Sequence, residues 1–312
     1  MNLIKIKIAS LETPNNVFLA PLAGYTNAVF REMCSYLGAG LTFTEMVSAK
    51  GLYYNSEKTK ELLAIPSGFE GIKACQIFGN DPEIMDHASK SEALSPFDLI
   101  DINMGCPMPK IYNNGEGSAL MNDLPLASKI ISAVKKSGKA VSVKFRIGLD
   151  ENNIIAKEFA KMCEDAGADM ITVHGRVKNK IYSGEVNFKA IAEAKNAVKI
   201  PLIANGGVFT AEDADKLIKE TGADGIAVGR GAMYAPWIFA EITGAGIPDK
   251  RKIILRQIKE TKKLYGERFA CVFMRKMVAF YIKGEPNATT IRQKLFDCQT
   301  CEEVEEIVET VF

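Results

Sequence analysis

Histidine is nearly missing from this chain: His87 and His174 are the only two in 312 residues, and Trp237 is the one tryptophan. With so few histidines, and with Cys298-Gln299-Thr300-Cys301 as a single C-x-x-C that no second pair accompanies, no structural metal is expected. That C-x-x-C also lacks the strand-helix context of a redox motif, so both of its cysteines read as structural. The seven cysteines (34, 75, 106, 163, 271, 298 and 301) are an odd set without the spacing of a disulfide framework, which fits a reducing compartment. No apolar run approaches the roughly 20 residues that cross a bilayer. The opening stretch from Met1 to Ile8 alternates apolar residues with Lys5 and Lys7, which suits a strand and not the long apolar centre of a signal sequence. A cytoplasmic protein without a membrane partner is expected. Apolar content of 47% and charged content of 25% set disorder and coiled coil aside.

What is present is a regular alternation. Short β-branched runs occur at Val17–Ala20, Thr42–Thr44, Ala74–Phe78, Leu99–Ile102, Val141–Phe145, Met170–Val173, Pro201–Ala204 and Gly225–Val228. Helical spacing lies between them, as at Leu126–Val134 and Ile155–Met162. Strands alternating with helices over about 230 residues predict an α/β chain built as a (β/α)8 TIM barrel. A doubly wound sheet competes, but no G-x-G-x-x-G follows the first strand, where that fold would want it. Past Trp237 strand runs cease and helical spacing takes over, with Thr243–Pro248 as a linker. The expected organisation is a catalytic barrel over 1–242 and a small all-α C-terminal domain over 249–312.

In such a barrel chemistry belongs at the C-terminal strand ends, and these ends are polar or glycine-rich. They carry Ala20-Pro21-Leu22, Gln76, Asn103 with the Gly105-Cys106-Pro107 turn, Lys144 and Arg146, His174-Gly175-Arg176, Asn205-Gly206-Gly207, and Gly229-Arg230. The last two sit where barrels commonly hold a phosphate. Glycine lets the backbone approach a ligand closely, and Arg230 can add a charge-assisted bond. Lys144 lies between Val143 and Phe145 on a buried strand, so its ammonium must aim at the barrel mouth and requires an anionic partner or a function. Stabilising charge on a bound ring is one role, and a Schiff base is another. Alone, Cys106 reads more readily as a small hydrophobe in a turn than as a reagent presented on a loop.

The C-terminal stretch has a charge imbalance that the formal net charge of +1 conceals. Thirteen lysines and arginines from Lys250 to Lys294 face Asp249, Glu260, Glu267 and Glu285, before the tail turns acidic at Glu302 to Glu309. A basic helical appendage beside a barrel mouth suggests a polyanion such as RNA, while a lysine-rich solvated helix face is the plainer reading. Arg275-Lys276 with Tyr281 adds the cation and aromatic mixture that nucleic-acid contacts use.

Taken together, Ala20–Asn27, Gln76–Gly79, Asn103–Pro107, Lys144–Gly148, His174–Arg176, Asn205–Gly207 and Gly229-Arg230 resemble the tRNA-dihydrouridine synthases. Lys110, the run from Gly115 to Leu120, Met274-Arg275-Lys276 and Arg292 resemble the bacterial B-type branch. The resemblance implies an FMN-bound barrel with a helical tRNA-binding domain. It would use NADPH or NADH to reduce the C5–C6 double bond of particular uridines, with hydride from flavin N5 to C6 and a proton from Cys106 to C5. By position it implies flavin contacts from Ala20, Pro21, Leu22, Gln76, Lys144 and His174, and a phosphate site at Asn205, Gly206, Gly207, Gly229 and Arg230. It further implies that Asn103, Arg146, Arg176, Arg275, Lys276 and Arg292 serve the substrate, with tRNA as partner of a monomeric enzyme. Some positions depart from the family's pattern: Gly207, Asn27 and Asn187 stand where aspartate is common, Leu22 where methionine is, and Met277 where histidine often is. Val177-Lys178 replaces Thr-Arg after His174-Gly175-Arg176. Alternatives are a flavin barrel acting on a free pyrimidine, as dihydroorotate and dihydropyrimidine dehydrogenases do, a synthase acting on ribosomal RNA, a Lys144 Schiff-base lyase, and an RNA-binding factor without catalysis.

Overall fold

A computed structural model describes residues 1–66 and 68–312. Eight parallel strands close a barrel in chain order: β1 (Val17–Leu19), β2 (Leu41–Ser48), β3 (Lys73–Phe78), β4 (Leu99–Met104), β5 (Ala140–Arg146), β6 (Met170–His174), β7 (Leu202–Asn205) and β8 (Gly225–Val228). The last of these pairs with the first, Ile226 opposite Val17. The barrel predicted from the alternation is thus present. Strand β2 runs farther than its short apolar core, because a register shift between Phe43 and Met46 lets it continue to Ser48. At that irregularity the Thr44 hydroxyl accepts from the Gln76 amide at 3.0 Å, filling a place in the ladder.

The period of two along each strand decides what faces the axis. On β5, Val141, Val143 and Phe145 turn outward to the helices and are fully buried there, which leaves Ser142, Lys144 and Arg146 pointing inward. Register matches inward positions of neighbouring strands: Gln76 lies beside Asp101, Asp101 beside Ser142, Asn103 beside Lys144, and His174 beside Asn205. Apolar inward residues such as Phe18, Phe43, Leu99 and Met170 fill the lower barrel. Ile6 and Ile8 close it from below. The opening stretch forms strand only at Lys7–Ile8, pairing with Leu11–Glu12. Two amides before it go to side chains instead, Ile4 to Asn16 and Ile6 to Thr13.

Helix α1 (Ala28–Tyr36) follows β1, and four helices end the chain: α2 (Lys250–Tyr265), α3 (Glu267–Tyr281), α4 (Ala288–Asp297) and α5 (Cys301–Val311). Asp249 caps α2, and Thr300 with Glu303 forms a capping box on α5. Ile254, Ile258, Met274 and Met277 belong to the same apolar cluster as Phe30 and the outer faces of the barrel strands. The Tyr265 hydroxyl, at the end of α2, accepts from the Ala28 amide of α1 at 3.1 Å. No helix among the described residues is long and apolar enough to cross a membrane.

Candidate active site at the barrel mouth

The strand ends and their loops surround a cleft of about 320 Å³. Cys106 and the barrel residues expected to hold flavin or substrate line it, from Ala20, Pro21 and Leu22 on the first loop to Gly229 and Arg230 on the last. Cys106 enters from the loop after β4. The Asn103 side-chain oxygen accepts from the amides of Gly105 (3.2 Å) and Cys106 (2.9 Å), and Arg146 Nε donates to the Gly105 carbonyl at 3.0 Å. On the far side the Ser118 hydroxyl donates to the Cys106 carbonyl at 2.8 Å. Gly117, at φ +61°, leaves room for this: a Cβ there would lie 2.9 Å from the Cys106 carbonyl oxygen. Burial pushes the Cys106 thiol up, against smaller downward pulls from the Met108 amide, Arg146 and Lys144. Such a thiol keeps its proton at neutral pH, so it suits an acid better than a nucleophile.

Four cations converge on the same space, Lys144, Arg146, Arg176 and Arg230, and among the described residues no carboxylate lines the cleft. Burial, with help from Arg146, lowers Lys144 to about 8. Arg146 comes down to about 10, again mainly by burial. His174 is held well below its ordinary value by burial and by the surrounding cations, so its ring is neutral. Part of each arginine is occupied by carbonyls: Arg146 by Val177, Arg176 by Gly184 and Arg230 by Tyr182. Tyr182 also lies under Arg230, 4.8 Å from guanidinium carbon to ring centre. Its neighbour Ile181 is bent to φ +49°, a conformation β-branched residues avoid, and this turns Tyr182 back over the mouth.

Gly206 (φ +125°) and Gly207 (φ +78°) take backbone conformations closed to most side chains, and a Cβ at Gly229 would touch the side chains of Leu22 and Ala20, at 3.8 and 3.9 Å. Bare backbone beside several unpaired cations suits an anionic group such as phosphate. Apolar walls from Ala20, Leu22, Met46 and Val208 suit a flat ring system next to it. A flavin nucleotide therefore fits the residues present. At Gly207 the left-handed backbone strains a side chain, which makes glycine the comfortable residue where the family often has aspartate. Asn27 and Asn187 cap helices by accepting from Phe30 and Ala190, both at 2.9 Å, work that asparagine and aspartate do equally well. Val177 is buried, and Lys178 lies 3.9 Å above the Tyr112 ring.

The three substrate candidates on the C-terminal helices do not reach the cleft. Arg275 donates to the carbonyls of Phe296 (2.9 Å) and Cys298 (2.8 Å), joining α3 to the end of α4, and Arg292 donates to Ala279 at 3.1 Å. Lys276 donates to the Gly24 carbonyl at 2.6 Å and sits 4.2 Å over Tyr25, so it fastens α3 to the loop after β1. Glu45 accepts from the amide of the same Gly24. Met277 is fully buried in the core. Sequence reasoning left Asp101, Glu45 and Tyr182 without roles. For Asp101 a signal existed, since it shares inward parity with Asn103 on β4.

Comparison with known proteins agrees with this geometry. A family model described as Dihydrouridine synthase (Dus) matches residues 18–312. The chain belongs to the dihydrouridine synthase family. It is 37% identical over 298 residues to tRNA-dihydrouridine synthase B of Pseudomonas aeruginosa, covering 92% of this chain and 90% of that one. To a probable tRNA-dihydrouridine synthase of Rickettsia conorii it is 36% identical over 299 residues, covering 92% and 90%. Among solved structures, the old yellow enzyme homologue NCR of Zymomonas mobilis superposes with a TM-score of 0.54 at 16% identity, covering 74% of this chain and 89% of that one. A variant of NCR gives 0.55 at 19% identity, covering 84% and 96%. At that identity the likeness is one of fold, and it matches the barrel.

Proposed function

We propose that this protein reduces the C5–C6 double bond of particular uridines in tRNA, with FMN held in the cleft and NADPH or NADH as reductant. The observation that carries the reading is the Cys106 loop, which presents a protonated thiol to the cleft that also collects four cations without a carboxylate. Relatives named tRNA-dihydrouridine synthase B at 37% identity support it. When bound, the reduced flavin supplies the electron pair and one hydrogen to C6 of the uracil.

Cys106 then gives its proton to C5 from the opposite face and regains one from solvent, which completes the addition of two hydrogens. Asn103 holds the loop amides so that the thiol stays aimed inward. Lys144 places a positive charge beside the ring system, where negative charge gathers on reduction. Backbone of Asn205, Gly206, Gly207 and Gly229 with Arg230 holds the phosphate, while Ala20, Pro21, Leu22, Gln76 and neutral His174 flank the ring. Arg146 and Arg176 face the entering nucleotide, which has to leave its stack to reach the pocket. The barrel over 1–242 carries this chemistry and the helices over 249–312 carry tRNA, in a cytoplasmic monomer.

A free pyrimidine would need neither the helices nor an arginine-rich mouth. The discriminating experiment supplies the FMN-loaded protein and NADPH with tRNA in one reaction and with free uracil or orotate in another. Dihydrouridine in the tRNA alone supports the reading, and equal turnover of the free base overturns it.

A further inference from the structure

Asp101 is fully inside the barrel, 1% exposed, and no catalytic step described above uses it. Its two oxygens are both occupied: Oδ1 accepts from the Ser142 hydroxyl at 2.6 Å and Oδ2 from Gln76 Nε2 at 2.6 Å. The hydrogen bonds continue outward. Asn103 Nδ2 donates to Gln76 Oε1 at 2.8 Å, and Asn103 Oδ1 accepts from the amides of Gly105 and Cys106. Gln76, Asp101 and Ser142 are inward neighbours on β3, β4 and β5, so strand register alone brings the group together.

We propose that Asp101 is a positioning residue that fixes the direction of a hydrogen-bonded chain, Asp101 to Gln76 to Asn103 to the Cys106 loop, and thereby holds the thiol toward the substrate. The proposal rests on the functional reading above for the meaning of "substrate", but the chain itself is independent of it.

Donors and acceptors decide the sense of such a chain. An amide side chain has a donor end and an acceptor end of nearly equal shape, so a run of two amides can form in either sense. An ionised carboxylate only accepts, and a backbone N–H only donates. Asp101 at the inner end obliges Gln76 to present its NH2 group inward and its oxygen outward. Asn103 must then turn its own NH2 to Gln76 and its oxygen to the loop, where two N–H groups wait. Reversing the run would set oxygen against carboxylate at one end and N–H against NH2 at the other. A neutral residue at 101 would leave the choice to the loop alone.

Cost points the same way. Burying a carboxylate is unfavourable, and here it raises Asp101 to about 6 despite the bonds from Gln76 and Ser142 and the charge of Lys144. Filling space or satisfying Ser142 would not require a charge. Holding the sense of the amide chain does.

The experiment compares the FMN-loaded wild type with Asp101→Asn and with Ser142→Ala. Asparagine at 101 can donate or accept, so both senses open. Ser142→Ala removes the other bond to the Asp101 carboxylate and leaves the bond from Gln76, so the sense of the chain is kept. Flavin content and melting temperature are recorded for each, together with three rates: flavin reduction by NADPH, reduction of uridine in tRNA from pre-reduced enzyme, and alkylation of Cys106 by iodoacetamide. Cys106 is the one cysteine of the seven that is not buried, so alkylation reports on it.

The expected result is that Asp101→Asn slows uridine reduction on the order of tenfold, the difference between a charge-assisted and a neutral bond, while flavin reduction is unchanged. Cys106 alkylation speeds up as the loop loosens, and Ser142→Ala keeps both rates near those of the wild type. If flavin reduction and melting fall in step with uridine reduction, or if Ser142→Ala slows uridine reduction as much as Asp101→Asn does, Asp101 is merely structural and the proposal fails. A wild type that makes no dihydrouridine would sink the functional reading instead, and the alkylation rates of the three proteins would still decide the role of Asp101.

Discussion

At the barrel mouth Lys144, Arg146, Arg176 and Arg230 converge on a cleft without a carboxylate among its described lining residues, whereas on the C-terminal helices many cations already have partners. Lys262 pairs with Glu267 and Glu302, Arg251 with Glu309, and Arg256 reaches across to Glu32 on α1. Arg275, Arg292 and Lys276 are occupied by carbonyls. Like charges thus serve two ends. Inside the mouth Lys144, Arg146 and Arg176 are desolvated, and none of the four forms an ion pair with a carboxylate lining the cleft, which leaves a place for an anion. On the helices such charges are solvated or bonded, which makes them part of the scaffold and leaves a smaller set, including Arg268 and Lys283, exposed without an ion-pair partner among the described residues.

Variants at matched charges should separate the two regions. Lys144→Ala should slow uridine reduction by roughly a hundredfold, the usual cost of losing an electrostatic stabiliser at the reacting centre. Lys262→Ala should leave that rate unaltered, since its exposed ion pairs with Glu267 and Glu302 lie outside the cleft. Equal effects in stopped-flow assays would erase the distinction between the regions. Arg275→Ala should cost about 2 kcal/mol in denaturant unfolding by stripping the Phe296 and Cys298 carbonyls, with flavin affinity unaffected. A loss of tRNA affinity with no loss of stability would instead place Arg275 at the RNA surface.

Smaller effects sharpen the same contrast. Arg268→Glu and Lys283→Glu should each weaken tRNA binding a few-fold and lower the slope of affinity against salt by just under one unit, as expected when one phosphate is no longer neutralised. An unchanged slope removes those residues from the RNA surface. The least effect is a proton count. In the free protein Lys144 loses its proton near pH 8, well below the ordinary lysine value, because burial disfavours its charge. An anion in the cleft favours the charged form, so at a pH of about 9 binding of FMN should take up protons, and its affinity should fall as pH rises through about 8. Well below that pH Lys144 is already charged and uptake from it should vanish. Calorimetry in buffers of different ionisation enthalpy measures this, and no uptake on the alkaline side would mean that Lys144 lies beyond the electrostatic reach of the bound cofactor.

The barrel and its mouth were legible because both follow short-range rules. Period-two strands fix which residues face the axis, and barrel chemistry gathers at strand ends, so Asn103, Cys106, Lys144, His174 and the glycine pairs could be placed together without coordinates. Bonding partners distant in the chain were not legible. Nothing local to Lys276 says that its ammonium lies on the Gly24 carbonyl, 252 residues away. Nothing local to Arg275 reveals carbonyls waiting at the end of α4. A run of charge in sequence reports composition, while its role depends on acceptors that only packing supplies. Asn103 shows the converse: its expected place beside the uracil came from the motif, and the structure spends its oxygen on the amides that aim Cys106.

The central claim is that Cys106 is the acid of the reaction and has no part in loading the flavin. It is tested most directly with Cys106→Ala by following flavin reduction by NADPH and, in a single turnover from pre-reduced enzyme, dihydrouridine formation in tRNA. Flavin reduction at the wild-type rate without any dihydrouridine is the predicted result. Dihydrouridine formed at the wild-type rate would contradict the claim.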